Sequence, residues 1–192
     1  MDFPDPLPLA TPPGSAAART VASELSVTDR EATRQAREQN VGQRPGTLRV
    51  KAGALKPRLF LFSYNEQGYT ETEYTDRYDE LLAAVHGKPE LKHWLDVRGY
   101  GDLPLMERFM NDFGLHPLQL EDVLGDYQRA KVEVFDEDRL FLVSRMTDFT
   151  ADLEINDDQL SIFTGPNYVL CFQDDYDDCL EVLRNRLRTT PS

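Results

Sequence analysis

The sequence predicts an α/β (α+β) domain in which a mixed parallel and antiparallel sheet is flanked by helices in a three-layer αβα arrangement. Three observations carry this expectation. Short apolar runs rich in β-branched and aromatic residues alternate along the chain with segments whose apolar residues fall at helical spacing. Two pairs of such runs are joined by the tight turns Asp136-Glu137-Asp138 and Gly165-Pro166-Asn167, so part of the sheet must be antiparallel. At 192 residues, 40% hydrophobic and 10% aromatic, the chain also holds enough apolar material for a sizeable core.

Arg58 to Tyr64 is an apolar, aromatic run bounded by Pro57 and Asn65, as a buried strand requires. Asn65 to Gly68 supplies turn chemistry. Tyr69 to Tyr74 alternates and carries charge on one face, which suits a paired strand near an edge. With Thr75 or Asp76 as cap, Tyr78, Leu81, Leu82 and Val85 mark a helix that Gly87 and Pro89 stop. His93 to Val97 is the next strand. A loop from Arg98 to Asp102 then leads into a helix bearing Leu105, Phe109, Met110 and Phe113, closed by Gly114. Pro117 suits the first position of a short helix from His116 to Leu124, because its missing N–H costs nothing there.

Lys131–Phe135 pairs with Arg139–Met146, and Gln159–Thr164 with Tyr168–Gln173, as two hairpins. The last helix follows Asp174 and Asp175, with Leu180, Leu183 and Leu187 turned inward and arginines near its end, where cations complement the dipole. Asp174, Asp175, Asp177 and Asp178 read as carboxylates capping its start. Internal strands should bury Leu59, Phe60, Leu61, Phe62, Trp94, Leu140, Leu142, Ile162, Val169 and Leu170.

Residues 1–47 hold six of the twelve prolines and a single aromatic, so they cannot bury enough apolar area to offset chain entropy and read as a disordered tail before a domain of residues 48–192. The net charge of −13 disfavours nucleic acid and anionic lipid as partners and favours cations. Apolar runs such as Leu81–Val85 and Tyr168–Phe172 are far shorter than the roughly 20 residues of a membrane helix, and no secretory signal opens the chain. Cys171 and Cys179 read as buried small side chains rather than a disulfide or metal motif.

The stretch Phe113-Gly-Leu-His-Pro-Leu-Gln-Leu-Glu-Asp-Val-Leu124, with Gln128-Arg129 and Lys131-Val-Glu-Val-Phe135, resembles the most recognisable soluble segment of the CorA family of magnesium and cobalt transporters. Ala130 stands where that family usually has proline. The likeness extends to Trp94–Val97, to Gln159–Gln173 and through the arginine-rich helix to Arg188. It implies the cytosolic regulatory domain of a homopentameric transporter in the inner or plasma membrane, cut before the long stalk helix and the membrane helices, which would be its sole link to the bilayer. It also implies regulatory Mg2+, with Co2+ as a further candidate, bound between subunits. Asp122 would be a metal ligand and Glu121 its neighbour in the acidic pair.

Taken on their own, Glu121 and Asp122 are adjacent on a helix, point about 100° apart and are poorly placed to meet one ion together. His116 reads as a helix-entry residue. Asp136–Asp138 is a charged turn, and Asp148–Asp158 lacks the glycine and glutamate spacing of a calcium loop. Two rivals stand beside the transporter reading: a free-standing soluble adaptor of the same fold, and a metal-dependent hydrolase assembled from His86, His93 and Asp96. The hydrolase has no supporting motif such as H-E-x-x-H or G-x-S-x-G, so a non-enzyme is expected.

Overall fold

A computed structural model describes residues 45–125, 128–135, 137, 139–149, 155–177 and 180–189, with the side chains of 148, 149 and 155–157 left aside. The elements in chain order are β1 (Arg58–Asn65), β2 (Gly68–Glu73), α1 (Tyr78–His86), β3 (Lys92–Arg98), α2 (Leu103–Phe113), α3 (Pro117–Leu124), β4 (Lys131–Val134), β5 (Leu140–Phe149), β6 (Ile155–Thr164), β7 (Tyr168–Gln173) and α4 (Glu181–Thr189). The strands form one sheet in the order β2-β1-β3-β7-β6-β5-β4. Among the described strands only β3 and β7 pair in parallel, and the other neighbours are antiparallel. The mixed sheet and both predicted hairpins are therefore present. The tail predicted over residues 1–47 lies, apart from its last three residues, outside the described residues, as does Cys179.

Strand alternation sorts the side chains onto two unequal faces. Leu59, Leu61, Leu95, Val97, Phe141, Val143, Phe163, Leu170 and Phe172 face α1, α2 and α3, and together they form the larger core. Phe109 sits at its centre, with its ring 4.8 Å from Tyr78 and 5.9 Å from both Phe113 and Phe172. The opposite face carries Phe62, Trp94, Leu160 and Cys171, covered by Leu180 and Leu187 from the α4 segment. Trp94 stacks on Phe62 and donates its indole N–H to the Cys171 sulfur, so this cysteine is a buried packing residue.

Because, among the described residues, one short helix covers that second face, several residues predicted as buried are not. Leu59, Leu61, Phe62, Trp94 and Leu170 are buried, whereas Phe60, Leu140, Leu142, Ile162 and Val169 are half-buried. Their strand chemistry is the same; the number of covering helices differs.

Helix ends show further differences. The residue before α1 is Arg77, which makes no side-chain cap; Asp76 is in left-handed conformation, and Thr75 instead accepts from the Leu59 N–H. Gly114 closes α2 in left-handed conformation as expected, and Asp102 caps its start. In α4, Leu183 is 47% exposed while Arg184 is only 2% exposed. Arg184 Nη1 donates to the fully buried Asp96 at 2.5 Å, and its guanidinium lies over the Phe62 and Trp94 rings. It is thus a core residue of the second face rather than a dipole-complementing surface cation. Asp174 and Asp175 lie six or more residues before Glu181, too far to cap α4.

Candidate divalent-cation site

Helix α3 is set by local chemistry at both ends. His116 is extended and opens a capping box: its N–H donates to Gln119 Oε1, and its Nδ1 accepts from the Leu118 N–H. Pro117 follows as the first helical residue. The helix buries Gln119, Leu120, Val123 and Leu124, which turns the adjacent Glu121 and Asp122 toward the rim. At the C-terminal end the buried Gln159 amide of β6 donates to the Asp122 and Val123 carbonyls, while its oxygen accepts from the Gln128 N–H. One glutamine therefore fastens the end of α3 to the sheet and to the segment entering β4.

The two acidic side chains diverge, as adjacent helical residues must. Glu121 Oε2 accepts from the Gly46 N–H at 2.6 Å. Asp122 Oδ2 accepts from Lys131 Nζ at 2.6 Å, and the same ammonium donates to Glu133 Oε1 at 2.6 Å. Side-chain exposures are 18% for Asp122, 31% for Lys131 and 41% for Glu133, so the cluster opens to solvent on one side. Burial alone would push the Lys131 ammonium down, but its hydrogen bonds to Asp122 and Glu133 override this and hold it above the ordinary lysine value. A third carboxylate, Glu133, is thus joined to Asp122, and Glu121 is not. Lys131 and Glu133 lie two apart on one strand, and that period-2 spacing was the available signal.

Among the described residues, three carboxylates converge elsewhere: donor oxygens of Asp158, Asp174 and Asp175 all lie within 4.8 Å of one another. Asp174 and Asp175 border a cleft of about 220 Å³ that is also lined by Lys51, Tyr100 and Gln159. Burial, followed by repulsion from Asp158, Asp174 and Asp177, pushes the Asp175 carboxyl up to about 6. The hairpin explains the meeting. Its register pairs Leu160 with Gln173, and continuing it by two residues brings Asp158 opposite Asp175. Extending the predicted Gly165-Pro166-Asn167 turn outward would have found this pair.

The hydrolytic site imagined from His86, His93 and Asp96 does not assemble. His93 contacts Ser63 Oγ through Nδ1 and the Lys88 carbonyl through Nε2. Asp96, three residues further along the same strand, projects to the opposite face of the sheet and is held by Arg98, Gln173 and Arg184. His86 lies on α1, with its ring 6.4 Å from Phe113.

A family model described as CorA-like Mg2+ transporter protein matches residues 93–192, more than half of the chain, from the second residue of β3 through α4. The chain belongs to the CorA family. A curated CorA relative, the cobalt/magnesium transport protein CorA of Thermotoga maritima, is 32% identical over 150 residues. The match takes in 77% of this chain, which spans only 41% of that relative's length. Among solved structures, full-length CmaX superposes with a TM-score of 0.55 at 15% identity, covering 71% of this chain and 41% of CmaX, a likeness of fold. The soluble domain of CorA from Methanocaldococcus jannaschii gives a TM-score of 0.46 at 14% identity, over 68% of this chain and 47% of its own. No helix among the described residues is long and apolar enough to cross a membrane.

Proposed function

We propose that residues 48–192 act, behind the tail of residues 1–47, as the cytosolic divalent-cation-sensing domain of a CorA-like magnesium or cobalt transporter. In this reading the whole protein is a homopentamer whose membrane helices follow residue 192. The observation that carries it is the half-buried Asp122 carboxylate on the rim of α3, inside the span matched by the family model. Mg2+ demands six oxygens in near-octahedral order and gives up its waters reluctantly. Asp122 and Glu133 of one subunit supply too few, so a tight site needs carboxylates from a neighbouring subunit, and filling it would hold the two together. Ion occupancy is thereby converted into assembly geometry, which is what a sensor requires. The role is one of binding without catalysis, a reading supported by the separation of His93 and Asp96 onto opposite faces of the sheet.

The test uses the full-length transporter. Mg2+ should protect it from limited proteolysis, and Asp122→Ala should raise the Mg2+ concentration needed for protection; Asp122→Asn separates charge from shape. If neither substitution shifts that concentration, Asp122 is an ordinary surface carboxylate. A gene that stops after Ser192, with no apolar segments downstream, would instead favour the free-standing adaptor.

A further inference from the structure

We propose that Lys131 is the resident cation of the Asp122–Glu133 pair, a tethered competitor that a divalent ion must displace to bind, and that it thereby sets the concentration at which the sensor fills. The inference rests on the assignment of Asp122 as a metal ligand.

One ammonium lies 2.6 Å from an oxygen of each carboxylate. The two oxygens are therefore aimed at one point of positive charge, the condition a small cation would also need. Mg2+ binds carboxylate oxygen at about 2.0–2.1 Å. An ion seated where the Asp122 and Glu133 oxygens converge would take the place the ammonium already fills, and two positive charges side by side at the edge of a low-dielectric interior repel. Binding is consequently an exchange: the ammonium leaves as the ion enters.

The position of the lysine is set by the fold. Register places Lys131 opposite Val143 and Glu133 opposite Phe141, and the Lys131 ammonium sits 5.6 Å from the centroid of the Phe141 ring. The second carboxylate comes from the same strand and the first from α3, whose end is fastened by Gln159. The lysine side chain is nevertheless 31% exposed, and β4 is a four-residue edge strand. The ammonium can therefore swing into solvent without disturbing the core.

The experiment uses the 192-residue chain with Mn2+ as probe, read by paramagnetic broadening of the backbone amide signals around Asp122 and Glu133. Lys131→Gln should lower the Mn2+ concentration for half-broadening about fivefold, the scale of one partly exposed ion pair. Lys131→Met, which keeps the apolar stem over Phe141, should do the same and serves if the glutamine variant folds poorly. Lys56→Gln removes an equal charge from the exposed Lys56–Asp76 pair and should leave the value unchanged. In the unmodified chain, Mg2+ should shift the Lys131 ammonium nitrogen signal toward that of a solvent-exposed lysine as the Asp122 amide responds.

Two failures are distinguishable. If Asp122→Asn leaves broadening near residue 122 unchanged, the ligand assignment falls and this inference with it. If Asp122→Asn abolishes the effect but neither Lys131 variant lowers the concentration, or Lys56→Gln lowers it equally, Asp122 remains a ligand and the tethered-competitor role is refuted. A Lys131 nitrogen signal that stays fixed while the Asp122 amide shifts refutes it as well.

Discussion

Asp96→Ala should be the most damaging single charge removal in this domain, because the Asp96 carboxylate balances two arginines at once. It is fully buried and accepts from Arg98 Nε at 2.8 Å, Gln173 Nε2 at 2.7 Å and Arg184 Nη1 at 2.5 Å. Removing it leaves Arg184, 2% exposed, and Arg98, 11% exposed, facing one another without the counter-charge. Breaking a buried pair from one side costs roughly 3–5 kcal/mol. Arg184→Met should cost less, about 1–2 kcal/mol, since Asp96 keeps Arg98 and Gln173 while the methionine still packs on Phe62 and Trp94. In the double variant only Arg98, the more exposed of the two arginines, is left without the Asp96 carboxylate, so its cost should fall below the sum of the singles by about 2 kcal/mol. Urea unfolding of the 192-residue chain reads this directly, and Trp94, the one tryptophan, reports from the contact itself. If Arg184→Met costs as much as Asp96→Ala, or if the two costs add, the buried charge balance is not what holds α4 to the sheet.

A pH dependence should follow from Asp175, whose folded-state carboxyl is raised from 3.8 to about 6. A raised folded value means the ionised form is disfavoured by folding, so stability is fullest below pH 4 and declines as pH rises through 6. A shift of this size is worth roughly 3 kcal/mol at a buried group and about 1 kcal/mol after screening at this partly exposed one. Asp175→Asn, which keeps the acceptor for the Asp177 N–H, should therefore stabilise the chain by about 1 kcal/mol at pH 7 and negligibly at pH 4 in denaturant titrations; equal effects at both would discount the carboxylate cluster. Among glycines, Gly99→Ala should cost about 2–4 kcal/mol by thermal or urea unfolding, because φ is +86° and a Cβ would lie 2.6 Å from the Leu55 carbonyl oxygen and 2.8 Å from that of Lys56. Gly114→Ala, at φ +71° with only the end of Arg139 nearby at 3.4 Å, should cost nearer 1 kcal/mol, and a reversed order would refute the close-approach explanation.

Much of the framework was legible because it is written locally. The helix entry at His116, Pro117 at the first position of α3, Gly114 at the end of α2 and both hairpin turns depend on residues within a few positions of one another, so strands and helices could be placed from spacing alone. The acidic pair of α3 was visible for the same reason, and so was the divergence of Glu121 from Asp122. The boundary of α1 was misread because Thr75 and Asp76 are good caps by type, yet Thr75 is engaged by the Leu59 N–H and Glu73.

What the sequence by itself determined is the α/β class, the strand and helix order, and the CorA family to which the chain belongs, all of which follow from local periodicity and from motifs read in order. Tertiary structure alone decided which charges meet. Arg184 and Asp96 are 88 residues apart, Gln159 and Asp122 are 37 apart, and Asp158 finds Asp174 and Asp175 only through the pairing of β6 with β7. It also decided that Lys131 pairs with both Asp122 and Glu133, and that, among the described residues, a single helix covers the second face of the sheet. The physical reason is range: hydrogen-bonded turns, caps and apolar periodicity act over one to four residues, whereas the partner of a charge is set by strand register and by which helix lies over it.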